Sequence, residues 1–89
     1  MKIGKNYLIR TVTHIDVGQL KRENKEHYVL TNASWIADTG RWMDMLKDGI
    51  ESQSNSEIEP FPPKDEVIVM KGAVIDVVEY KHKLPTNQK

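Results

Sequence analysis

Two tryptophans, Trp35 and Trp42, bracket an Asp38-Thr39-Gly40-Arg41 turn. No other segment of the chain concentrates so much recognition chemistry. Indole faces stack on purine rings, at about 1–3 kcal/mol per base. An arginine fork, a hydroxyl and the first amides of a helix suit phosphate oxygens. Trp35, Asp38, Thr39, Gly40 and Arg41 are therefore candidate ligand-binding residues, whereas Trp42 lies on the face of a short helix and packs inward. Arg10 on the first strand and Lys71 near the end of the chain join the candidates as charges for a pore or subunit cleft. Solvated surface is the alternative for both.

Catalytic arrangements are missing from the sequence. His14, His27 and His82 are scattered, without the spacing of a metal site. There is no cysteine for a thiolate site or a disulfide, and no glycine-rich phosphate loop or nucleophile motif is present. The Asp38-Thr39-Gly40 triplet is similar to the aspartic-protease signature, but that chemistry needs two such carboxylates held together. A turn followed by a helix cap accounts for the triplet more simply. The expectation is a non-enzymatic protein with no catalytic residue, metal or cofactor.

Thirteen basic residues balance thirteen acidic ones, so the chain is formally neutral. Their distribution is uneven: residues 1–41 carry a net +3, residues 42–66 a net −5 and residues 67–89 a net +2. Overall neutrality argues against a general polyanion binder, because such affinity comes from phosphate neutralisation. A small anion held in a local pocket is compatible with it. No apolar run approaches the roughly 20 residues of a membrane span, and the N-terminus lacks the apolar core of a signal peptide. A soluble, cytoplasmic protein is expected.

The elements that must position these residues are mostly strands. Asn6 to His14 is rich in aromatic and β-branched residues, and Ile15 to Lys21 continues extended, with Gly18 at a bend or bulge. A polar turn over Arg22 to Glu26, with a left-handed Asn24, leads into a strand over His27 to Thr31. Trp42, Met45 and Leu46 fall on one face of a helix from Arg41 to Asp48. Asp38 or Thr39 would cap it and Gly49 would end it. Glu57 to Pro63 begins as an edge strand that its three prolines must stop. Val67–Met70 and Ala73–Tyr80 are strands joined through a tight corner at Gly72, and the Lys-rich tail is extended or loose. The predicted fold is mainly β with one short helix: a five-stranded Sm-like or SH3-like small barrel. It forms one domain over residues 1–84, with a helical insertion over about 34–66 between strands 3 and 4 and a tail at 85–89.

Two motifs carry a resemblance to the Sm-like family. Gly18, Leu20, Asn24, Leu30 and Ala33 stand at a spacing similar to its first motif, and Met70, Lys71, Gly72, Val74 and Ile75 match its second. The similarity spans about two-thirds of the chain. It departs from the family in having no helix before the first strand, in His27 and Tyr28 at the usual methionine–asparagine pair, and in its acidic insertion. The resemblance implies a homo-oligomer built by edge-strand pairing and, as an alternative function, single-stranded RNA binding. The chain also resembles short phage and prophage proteins, through the segment Trp35 to Arg41 and the Leu84-Pro85 ending. Together these imply capture of a nucleotide-type small molecule at a subunit interface, as in a phage anti-defence sponge that sequesters a host immune signal in the host cytoplasm. A structural or host-protein-blocking module that uses the acidic segment over 44–66 is the third reading.

Overall fold

β-Branched and aromatic residues dominate the extended segments, and in the computed structural model, which describes all 89 residues, they form one six-stranded antiparallel sheet. The chain runs β1 (Asn6–Thr11), β2 (Ile15–Glu23), β3 (His27–Asp38), α1 (Trp42–Asp48) and a 3-10 turn at Ile50–Ser52. β4 (Glu57–Pro60), β5 (Val67–Met70), a 3-10 corner at Lys71–Ala73 and β6 (Val74–Glu79) follow. Strand order is β4-β3-β2-β1-β6, with β5 also paired to β3. The mainly β architecture with a single α-helix is as the sequence predicts. The edge strand expected from Glu57 is present as Glu57–Pro60 and makes a sixth where the predicted barrel counts five. It pairs with the second half of β3, from Ser34 to Asp38, which the sequence reading assigns to the insertion. No helix is long and apolar enough to cross a membrane.

β3 does two jobs. His27 to Leu30 pair with β5, whereas Ser34 to Asp38 pair with β4. Between the halves stands Asn32 with φ +50°, a left-handed conformation that asparagine tolerates better than most residues. Opposite this bend the β2–β3 register shifts between Val17 and Gln19, at Gly18. A Cβ on Gly18 would lie 2.9 Å from the Ala33 Cβ and 3.2 Å from the Leu30 Cβ. Glycine is there because the strands touch.

The sheet buries side chains on both faces, which explains why Tyr7, Leu8 and Ile9 are all buried in succession. One core gathers Tyr7, Ile9, Leu20, Leu30, Ala33 and Val69. The other gathers Leu8, Val17, Ile36 and Ile58 under Met45 and Ile50, closed by Tyr80. Tyr80 accepts a hydrogen bond from the Ile50 N–H at 3.0 Å. The segment between β3 and β5 is therefore part of the core rather than a detachable surface. It also begins later than 34, because β3 continues to Asp38.

Local expectations change for identifiable reasons. β1 stops at Thr11, whose hydroxyl accepts from the His14 N–H at 2.9 Å and turns the chain. Asn24 shapes its turn through its side-chain oxygen, which accepts from Glu26 and His27 N–H, and not through a positive φ. Gly72 sits in the corner with open space around it and no positive φ, so the corner does not require glycine. Neither Asp38 nor Thr39 caps α1; Arg41 is the N-cap residue and makes no side-chain capping bond. The tail is docked, not loose. Lys89 exchanges two backbone hydrogen bonds of 2.9 Å with Ile58, and its ammonium donates to the Glu51 carbonyl, the Gln53 carbonyl and the Ser56 hydroxyl.

Two substitutions test this packing in opposite directions. Gly18→Ala is expected to destabilise by about 1–3 kcal/mol through overpacking. Ser34 is fully buried with no partner for its hydroxyl, so Ser34→Ala is expected to stabilise by about 1 kcal/mol. Urea denaturation of both variants checks the two signs.

Candidate functional site

The cations offered by the sequence are largely engaged within the protein. Arg10 donates through Nε to Asp76 Oδ1 at 2.8 Å and through Nη2 to Oδ2. Its guanidinium lies 4.5 Å from the centroid of the Trp42 ring, a cation–π contact. Arg10 holds the Asp76 carboxyl below the usual carboxylate range. Lys71 Nζ donates to Glu23 at 2.7 Å and lies 4.8 Å from the Tyr28 ring centroid. Lys21 and Arg22 converge on Glu66, whose carboxyl is held down to about 2 mainly by hydrogen bonds from Arg22 and then Lys21. These contacts tie β5 and the corner after it to the β2–β3 hairpin.

The Asp38-Thr39-Gly40 segment bonds to itself. Asp38 Oδ1 accepts from the Gly40 N–H at 2.8 Å, and the Thr39 hydroxyl donates to the Gly40 carbonyl at 2.8 Å. Gly40 has φ +69°, and a Cβ there would meet the Gln53 Cβ at 2.7 Å. Arg41 is exposed at the start of α1. Backbone conformation and the space at Gly40 account for this turn.

Trp35 has different surroundings. On β3 it stands between Asp16 of β2 and Glu59 of β4. It is half-buried, with the His14 ring edge-on at a centroid distance of 6.2 Å. Trp35 walls an open cleft of about 470 Å³ with His14, Glu59, Pro60, Phe61, Pro62 and Gln88. It also borders a second groove, of about 500 Å³, whose lining includes Arg10, Thr11, Thr13 and Ile75. The structure thus brings two of the expected site residues, Trp35 and Arg10, to one groove. Asp38, Thr39, Gly40, Arg41 and Lys71 line neither space.

Sequence reasoning missed His14, Glu59, Phe61 and Asp16. Phe61 had a signal in the prolines that stiffen the chain on both sides of it. Asp16 had one in its place between Ile15 and Val17 within a strand. It is 7 % exposed, and burial pushes its carboxyl above the usual range, against a smaller downward pull from His14. No cluster of three or more His, Cys, Asp or Glu side chains is arranged to hold a metal ion. No family model, curated protein or solved structure matches the chain.

Arg10→Gln removes the cation from Asp76. The Asp76 carboxyl is then expected to titrate close to the ordinary value of about 3.9, as read from its carboxyl carbon shift against pH. A titration curve unchanged from the parent protein would contradict the pairing.

Proposed function

We propose that the protein is a non-enzymatic binding protein that captures a nucleotide-type small molecule across Trp35. The observation that carries this reading is the shared wall: Trp35 separates an aromatic, proline-lined cleft from a groove bearing Arg10 and two threonines. In the cleft, a base stacks against Trp35 and Phe61, while Glu59 accepts from an exocyclic amine and Gln88 both donates and accepts. In the groove, a phosphate meets Thr13 and the Arg10 N–H donors that Asp76 leaves free. One hydroxyl–imidazole pair borders the groove, Thr13 and His14 at 2.7 Å; no third side chain is hydrogen-bonded to that ring to orient it as a general base, which suits sequestration.

The same reading includes a small barrel that pairs with copies of itself. The β5–β6 corner, with β6 hydrogen-bonded to β1, supports closure. β5 and β6 each pair with one neighbour only, and expose Ile68 (58 %), Met70 (50 %) and Ile75 (64 %). Open strand edges carrying apolar side chains favour edge-to-edge association.

Replacing Trp42 by Phe leaves Trp35 as the single indole. In that variant, purine mononucleotides or cyclic dinucleotides are expected to quench fluorescence saturably. Trp35→Ala in the parent protein is expected to weaken calorimetric binding by about 1–3 kcal/mol. Absence of saturable quenching across purine and pyrimidine nucleotides would refute this reading.

A further inference from the structure

Asp16 is a buried carboxylate without a protein donor. Its backbone pairs with Ile9 on one side and Trp35 on the other, and its residue surface is 7 % exposed. It takes part in no ion pair: the five in the protein join Lys5, Arg10, Lys21, Arg22 and Lys71 to other carboxylates. The nearby His14 ring is hydrogen-bonded through Nδ1 to the Thr13 hydroxyl at 2.7 Å. The Thr11 hydroxyl is occupied by the turn, donating to the His14 carbonyl at 3.1 Å. With the residue 7 % exposed and no protein donor, the Asp16 carboxylate has only solvent to satisfy it, and its ionised form is disfavoured. A ligand cation that reaches it replaces that solvent with a charge-assisted hydrogen bond.

Asp16 lines an open pocket of about 190 Å³ with Thr11, Thr13, His14, Ile68 and Met70. The pocket's chemistry is divided: one carboxylate and two threonines on the β1–β2 side, aliphatic and thioether side chains on the β5 side. Lys71 follows β5 directly but is turned to Glu23 at 2.7 Å. His14 is the one other titratable group in the lining, and β5 contributes none.

We propose that this pocket binds a primary ammonium group on a short unbranched aliphatic stem. The ammonium hydrogen-bonds Asp16, and the stem lies along Ile68 and Met70, as lysine stems lie on apolar surface while the head stays polar. The inference is independent of the nucleotide reading, since the occupant is cationic and the recognising group is Asp16. Two sources share this head group: free diamines and lysine side chains.

The experiment is a ¹H–¹⁵N NMR titration of the full chain with n-butylammonium, with n-butanol as the uncharged control. n-Butylammonium is expected to shift the Thr13, Asp16 and Met70 amides saturably, and n-butanol is not. Asp16→Asn is expected to weaken the response at least tenfold. Equal responses to the two probes, or an undiminished response in Asp16→Asn, would overturn the proposal. A measurement on the unsubstituted protein stands beside the variant: the Asp16 carboxyl carbon, titrated with and without n-butylammonium. Its midpoint is expected to fall when the cation is present, because the cation favours the ionised form; an unmoved midpoint overturns the site. Tighter binding of putrescine than of Nα-acetyl-lysine methylamide assigns the head group to a diamine, and the reverse order to a lysine side chain.

Discussion

The structure depends on the close approach of β2 and β3 at Gly18 and Ala33. A Cβ on residue 18 would come within 2.9 Å of Ala33, so the two strands meet there only because one of them has no side chain. The left-handed Asn32 beside this contact bends β3, and the bend lets one long strand serve two partners. Its first half pairs with β5 and its second with β4. That division creates two cores on opposite faces of a small sheet, each with its own set of buried apolar residues. A domain of this size gains from burying both faces, because its surface is large relative to its volume.

The second organising feature is the way charge is spent. Five ion pairs engage Lys5 just before β1, Arg10, Lys21 and Arg22 on β1 and β2, and Lys71 on the corner after β5. Each is at least partly exposed and so contributes little alone. Their consequence lies in recognition: a lysine or arginine already bonded to a carboxylate attracts phosphate less strongly. Lys71, which the sequence offers as a free charge, is a clasp between the corner and Glu23. Arg10 keeps some capacity because a guanidinium has five N–H donors and Asp76 accepts two of them.

Against that background the surfaces proposed for binding are where pairing is incomplete. Trp35 is half-buried between two open grooves, and Asp16, its neighbour across the ladder, has no donor. The two positions are adjacent on paired strands yet open to different spaces. His14, at the entry to β2, borders both. The β1–β2 turn, set by the Thr11 hydroxyl, thus places one imidazole between the Trp35 cleft and the Asp16 pocket.

Strand identity was legible in the sequence because it is local: β-branched runs such as Val67 to Met70, the bulge glycine at position 18 and the helical face Trp42, Met45 and Leu46 all depend on near neighbours. The proline stop after β4 and the corner after Met70 were legible for the same reason. The companions of each side chain were not. Trp35 and Phe61 belong to different strands and segments, Asp16 meets its pocket across β5, and Lys89 returns to Ile58. The turn at Asp38 to Arg41 drew attention by composition, yet its side chains bond locally, while the cleft is assembled from residues far apart in the chain. Composition and periodicity determined most of the strands but ended β3 at Thr31, seven residues short of Asp38. Only long-range pairing with β4 extended it and decided which side chains meet, because register and bend are set where backbones touch.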